Sequence, residues 1–280
     1  KKFGNNSTKI IYDFHNNVDL IKKIKSIGFS DSDKLSLSLS KTKLSELMDQ
    51  VELFKKIGYQ DDEIKKWFNA EMVLGGEKYK SKLKLHGTSS TWLKRDFLSF
   101  KVKQEKNTQY PLNIRRFNLI NVQDKFLSQS DPLNKFAADF GLIAPSGELK
   151  NLTFNGTDMG MFYLVEDHKK EFLERNFGIV DYVMFSPLDN WVGTSYGHVS
   201  PHDLSYFYYE ASGYSDEDSL GLARAQLKLL FSAVKSQDYD LLESLIDKDY
   251  MSKFLALMYL FNDIHLVTGD NLRFIYDFHR

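Results

Sequence analysis

The sequence predicts an α+β protein in which a strand-rich half precedes a mainly helical half. Polar and apolar residues alternate over 79–85 and over 97–102, which is typical of half-buried strands. Asn155-Gly156 separates two apolar runs, and this dipeptide between apolar runs is a strong hairpin signal. Beyond residue 220, apolar residues recur at the spacing of amphipathic helices.

The first elements follow from periodicity in the N-terminal part of the chain. Leu and Ser alternate over 35–40, which predicts a strand. Apolar residues at helical spacing over 44–54 predict a helix that ends before Gly58, and a second helical pattern begins at 61–68. A further strand is predicted over 117–122, where apolar and β-branched residues are concentrated.

Turn and capping residues define the middle of the chain. A helix is predicted over 132–140, because Pro132 suits the first helical position and Gly141 suits the residue after the last turn. The hairpin built on Asn155-Gly156 is predicted to pair 149–154 with 160–165.

In the second half of the chain, apolar residues at helical spacing predict helices over 220–234, 239–246 and 251–261. The stretch 186–218 is rich in Tyr, Ser, Gly and Asp, and it is expected to be a long irregular region or a set of short pieces. A polar loop after the last helix leads into a strand that begins at Asn271.

The composition limits the classes of partner. A formal net charge of −1 provides no overall field to hold nucleic acid or an anionic membrane, so we expect no nucleic-acid partner, and any polyanion site must be local. No apolar run approaches the roughly 20 residues of a membrane helix, so no transmembrane segment is expected. The chain has no cysteine, which excludes disulfides and thiolate metal sites.

The segment 86–95 is a candidate phosphate-binding turn. A short turn between two strands presents backbone N–H groups and hydroxyls at one point, and such a cluster of donors suits phosphate oxygens. The basic pair that follows supplies a point charge and a guanidinium fork. The alternative is a polar hairpin loop with solvated basic residues. The candidate residues are Gly87, Ser89, Ser90, Lys94 and Arg95.

Two further places carry candidate residues. Glu166 ends the predicted hairpin, where it either faces a nucleoside or belongs to an acidic helix N-terminus. Asp263 and Asn271 flank a polar loop, a pairing that phosphoryl-transfer chemistry uses, although both residue types are also common in loops. Arg115 and Arg116 are expected to be a solvated pair.

In this order the motifs resemble the CotH kinase family, named after spore coat protein H. The family's Gly-x-Ser-Ser turn, basic pair and strand appear over 86–101. Its Asn-Gly-x-x-x-Gly-x-Tyr-x-x-x-Glu hairpin appears over 155–166, with Phe162 in place of the tyrosine. Asp263 and Asn271 match a helix that ends in Asp and a strand that opens with Asn.

The resemblance implies a two-lobed, protein-kinase-like fold with an antiparallel-sheet N-terminal lobe and a mainly helical C-terminal lobe. It divides the chain into an N-terminal elaboration (1–75), a nucleotide-binding lobe (76–166) and a helical lobe with the catalytic loop (167–280). It implies an ATP- and Mg²⁺-dependent phosphotransferase that acts on protein hydroxyls at a spore or cell surface.

The same resemblance implies the role of each candidate residue. Lys94, with Arg95, contacts the nucleotide phosphates, and Glu166 lies near the nucleoside. Asp263 is the catalytic aspartate, and Asn271 helps to hold Mg²⁺. The competing hypothesis is a non-catalytic structural or assembly protein of a surface.

Overall fold

The structure is a computed structural model that describes residues 34–60, 63–87, 98–105, 113–122, 127–187, 209–213, 216–261 and 273–279.

Seven strands form a closed barrel. They are β1 (Lys34–Ser38), β2 (Phe68–Leu74), β3 (Glu77–Leu85), β4 (Phe100–Gln104), β5 (Arg116–Asn121), β6 (Gly147–Phe154) and β7 (Thr157–Glu166). Around the barrel the order is β1-β2-β3-β4-β5-β7-β6. All neighbouring pairs are antiparallel except β1 and β6, which are parallel and complete the closure.

Helix α1 (Lys41–Ile57) contributes to the core of the barrel. It begins where the Ser40 side chain accepts a hydrogen bond from the Lys43 N–H, and it ends at Gly58, whose φ of 84° is left-handed. Leu47 and Phe54, on one face of the helix, are fully buried among the inward side chains of the strands. The helix therefore shares one apolar core with the barrel.

In the described ranges, a second sheet and five further helices follow the barrel strands or connect them. The helices are α2 (Leu127–Asp139), α3 (Lys170–Phe177), α4 (Glu217–Ser236), α5 (Tyr239–Leu245) and α6 (Lys248–Phe261). The sheet has the order β10-β8-β9, formed by β8 (Tyr182–Pro187), β9 (Tyr209–Ser212) and β10 (Phe274–Asp277). Alternate residues of β8 pack in opposite directions: Val183 and Phe185 pack with α4, and Tyr182 and Met184 with α3.

The predicted two-lobed, protein-kinase-like fold is wrong. The strands do not form an antiparallel-sheet lobe but a closed barrel, because β1 joins β2 on one side and β6 on the other. The half expected to be mainly helical also contains a three-stranded sheet. Leu35 of β1 lies opposite Leu152 of β6, and a pairing between residues so far apart in the chain leaves no trace in local periodicity.

Most of the predicted elements are confirmed. The strands predicted at 35–40, 79–85 and 117–122 are β1, β3 and β5, and the predicted hairpin is β6 and β7. Its turn residues Asn155 and Gly156 have φ of 47° and 80°, as a type I′ turn requires.

Two predicted helices need correction. Residues 63–67 are not helical, and Phe68 begins β2, because Phe68 is buried in the barrel core. The helix predicted over 132–140 is α2, which begins five residues earlier, at Leu127.

Candidate functional site

Five basic residues lie side by side on the outside of the barrel. Lys82 of β3 lies directly opposite Lys103 of β4, which lies opposite Arg116 of β5. Two residues further along the strands, Lys84 lies opposite Lys101. We call these five residues the cationic face. Like charges directly opposite each other destabilise a sheet, so the pairing does not serve the stability of the barrel.

The strand pattern places these side chains outside. Leu83 and Leu85 alternate with the β3 lysines, and Phe100 and Val102 alternate with the β4 lysines. All four apolar side chains are buried in the barrel core. Because successive side chains of a strand point to opposite faces, burial of the apolar set forces the lysines onto the outer surface.

An exposed aromatic ring lies within the cationic face. Trp67 precedes β2 and is 39% exposed. The Nζ atoms of Lys103 and Lys84 lie 4.8 and 5.5 Å from its ring centroid. Each such cation–π contact contributes about 0.5–1 kcal/mol at an exposed site, which offsets part of the repulsion.

Three lysines of the face lack a carboxylate partner in the part of the chain that the structure describes, whereas Arg116 lies near Glu171, whose pKa its charge helps to lower. Within these described residues, no carboxylate forms an ion pair with Lys82, Lys101 or Lys103. Burial lowers the pKa of Lys103, and the positive charges of Arg116 and Lys82 lower it further. A bound anion would relieve this repulsion, so the arrangement favours an anionic ligand.

The connection between β3 and β4 is held at its base. The His86 N–H donates to the Ser99 carbonyl at 2.9 Å, and Gln60 Nε2 donates to the His86 carbonyl at 3.3 Å. The buried ammonium of Lys65 donates to the Gly87 carbonyl at 2.5 Å. Gly87 has a φ of 93°, a left-handed conformation that glycine adopts without strain. The candidate phosphate turn therefore starts from a fixed backbone whose first carbonyl already faces a cation.

Helix α3 is joined to the barrel by two arginine–carboxylate pairs. Arg175 binds Glu166, the last residue of β7, and Arg115 Nη1 lies 2.6 Å from Glu171 Oε1. Burial raises the pKa of Glu166, and the hydrogen bonds from Arg175 and Asn176 oppose this rise. Glu166 thus lies in a strand rather than at a helix N-terminus, since α3 begins at Lys170.

The described residues include only two of the predicted site residues. Gly87 follows β3 and Glu166 ends β7, and β4 and β5 separate these strands around the barrel, so the structure does not bring the two together. The roles predicted for both stay predictions. Six further predicted residues lie outside the described ranges: Ser89, Ser90, Lys94, Arg95, Asp263 and Asn271.

Sequence reasoning missed the cationic face, although its signal is present. Lysines at every second position of β3 and β4 predict a single charged side, but the pairing of the two strands is needed to place them opposite one another. The prediction of a solvated pair is wrong for Arg115, whose side chain is only 12% exposed because it binds Glu171.

No helix in the described ranges is long and apolar enough to cross a membrane. Within the same ranges, no three His, Asp or Glu side chains are grouped so that they could hold a metal ion. Comparison with known protein families and with curated proteins finds no match to this chain.

Proposed function

We propose that this protein binds the phosphates of a nucleotide at the cationic face and at the adjoining β3–β4 connection. On this basis we propose that it is an ATP- and Mg²⁺-dependent phosphotransferase acting on hydroxyls of a protein at a spore or cell surface. The observation that carries the proposal is the row of Lys82, Lys103 and Arg116 directly opposite one another on three strands.

A triphosphate is the ligand that fits this row. Several negative charges close together match several cations at the spacing of neighbouring strands, about 5 Å. Lysine ammonium groups serve phosphates as point charges, and arginine adds a bidentate fork. The free protein carries the like-charge repulsion of this row. An anion that bridges the row removes this repulsion, so its removal contributes part of the binding free energy.

The predicted phosphate turn follows the cationic strand β3 directly in the chain. Lys84 is the last outward residue of β3 before the connection, and Lys101 is the first outward residue of β4 after it. The predicted Gly87 to Arg95 segment therefore connects the two cationic strands. In this proposal the phosphates held on the face also bind N–H groups of the predicted Gly-x-Ser-Ser turn, most of which lies outside the described residues.

The transfer chemistry is supported by the resemblance of the motif order to CotH kinases. In this proposal the lysines position the phosphates for in-line transfer, and Asp263 orients the acceptor hydroxyl. Mg²⁺, with Asn271 among its ligands, supplies charge neutralisation between the phosphates when it is bound.

Thermal unfolding with and without Mg-ATP tests the binding step. We expect millimolar Mg-ATP to raise the Tm of the wild type, and we expect the Lys101→Ala/Lys103→Ala and Lys94→Ala variants to lose this shift. Lys235→Ala, at the last turn of α4, is the matched control and retains the shift. A wild type with no shift at millimolar nucleotide contradicts the proposal.

Transfer to protein is tested separately with radiolabelled ATP. Asp263→Asn is expected to keep the thermal shift and to lose phosphate transfer. Equal transfer by the wild type and Asp263→Asn contradicts the assigned chemistry. A wild type that binds nucleotide and transfers nothing favours the non-catalytic hypothesis instead.

A further inference from the structure

The flat apolar ring of Trp67 lies beside the charges that we propose bind phosphate. The pairing of Phe68 with Leu83 places Trp67 beside Lys84, and its ring is also approached by Lys103. The ring is 39% exposed, so a ligand can reach it. Aromatic rings within a cationic surface are the combination that binds nucleobases and phosphates together.

Two buried anchors hold this ring in place. Phe68, on its C-terminal side, is 2% exposed in the barrel core, and Lys65, two residues before the ring, is 7% exposed. Lys65 also holds the carbonyl of Gly87, where the predicted phosphate turn begins. The same short segment therefore fixes the aromatic ring and the start of the turn relative to each other.

We propose that Trp67 is the platform on which the nucleobase stacks, which rests on the proposed function and extends it to recognition of the nucleoside. The base displaces the nearer ammonium group, that of Lys103, from the ring, because base stacking is stronger than one exposed cation–π contact. The released ammonium group of Lys103 then binds the phosphates of the same nucleotide.

Stacking also defines the specificity of this platform. Every base has a π face, so stacking tolerates changes of base. The protein is therefore expected to bind ATP and GTP with affinities within a few-fold of each other, and to bind both more tightly than inorganic triphosphate, which has no base.

The experiment compares the Kd of ATP, GTP and inorganic triphosphate for the wild type, Trp67→Ala and Trp67→Phe by calorimetric titration. Trp67→Ala is expected to weaken ATP and GTP binding by roughly 5- to 150-fold, equivalent to about 1–3 kcal/mol of stacking. Its affinity for inorganic triphosphate changes much less. Trp67→Phe, which keeps a smaller aromatic ring, retains an intermediate affinity for both nucleotides.

Tyr259→Ala, at an 88% exposed position of α6, is the control for loss of an exposed aromatic ring and keeps wild-type affinities. Unchanged nucleotide affinity in both Trp67 variants overturns the platform and leaves the proposed function standing. An equal loss for nucleotides and inorganic triphosphate in Trp67→Ala also overturns it. A wild type that binds none of the three ligands overturns the proposed function, and the platform with it.

Discussion

The side-chain amide of Asn155 pairs with the backbone of Leu39 in both directions. Its Oδ1 accepts from the Leu39 N–H at 2.9 Å, and its Nδ2 donates to the Leu39 carbonyl at 2.9 Å. The Asn155 N–H also donates to the Leu37 carbonyl at 2.9 Å. The turn of the β6–β7 hairpin is thereby joined to the end of β1, at the pairing that closes the barrel.

Substitutions at Asn155 are expected to separate its two roles in the barrel. Asn155→Gly keeps the left-handed φ of 47° but removes both side-chain hydrogen bonds, and we expect a loss of about 1–3 kcal/mol in the free energy of unfolding. Asn155→Ala is expected to lower the free energy of unfolding by roughly 1 kcal/mol more than Asn155→Gly, because alanine has a Cβ and no local hydrogen bond to favour this conformation. Urea denaturation measures both variants. Equal stability of Asn155→Gly and the wild type would show that the bidentate contact contributes nothing to closure.

Loss of the Lys65 ammonium is expected to destabilise the fold at the start of the β3–β4 connection. Lys65→Met removes the hydrogen bond to the Gly87 carbonyl and leaves that acceptor without its charged partner, at a cost of about 1–3 kcal/mol. Lys66→Met is the matched control, because the neighbouring lysine is exposed. Urea denaturation gives both free energies of unfolding, and similar values for the two variants would contradict the assigned role of Lys65.

Reversal of one charge in the cationic face is expected to stabilise the fold and to weaken phosphate binding. Lys82→Glu places a carboxylate opposite Lys103, so we expect the free energy of unfolding at low salt to rise by about 0.2–1 kcal/mol. The gain decreases at high salt because surface charges are screened.

Lys78→Glu is the control of opposite sign, since Lys78 forms an ion pair with Glu71 at 3.0 Å and its reversal creates a repulsion. Urea denaturation at two ionic strengths measures both effects. Destabilisation by Lys82→Glu would mean that the row of cations is not repulsive in the free protein.

The half-buried His168 is expected to make stability depend on pH below neutrality. Burial lowers the pKa of its imidazole to about 4, and the positive charge of Arg273 acts in the same direction. The unfolded chain takes up the proton near pH 6.5 whereas the folded protein does not, so stability present above pH 6.5 is lost as the pH falls toward 4. At about 1.36 kcal/mol per pKa unit, the loss reaches about 3 kcal/mol.

Urea denaturation of the wild type and His168→Gln at pH 7 and pH 5 measures this dependence. The difference between the two pH values is expected to shrink in His168→Gln. His279→Gln removes an exposed imidazole and is the matched control. An unchanged difference in His168→Gln would exclude this residue as the source.

Local chemistry was sufficient for the elements that one short segment specifies. Asn155-Gly156 determines a turn with two left-handed residues, and Gly58 ends α1 in a left-handed conformation. Where local and global preferences conflicted, the local signal failed. Phe68 fitted a helical period, but the barrel core buries it as the first residue of β2.

The candidate site also has one part that local sequence could predict and one part that depends on strand pairing. The phosphate turn was predicted because a glycine, hydroxyl residues and basic residues follow one another in the chain, and it stays a prediction because most of it lies outside the described residues. Trp67 carries no such signal, since its cationic neighbours come from β3 and β4 and meet it only through strand pairing.

Alternation of lysine with Leu, Phe and Val in the chain already separated a charged side of β3 and β4 from a buried one, because side chains of a strand alternate between two faces. Which strands became neighbours depended on long-range pairing. The parallel contact of β1 with β6 closed the barrel, and the register of β3, β4 and β5 brought Lys82, Lys103 and Arg116 into one row. Burial of a shared apolar core determines both the closing contact and the strand register. That core exists only when distant segments of the chain have come together.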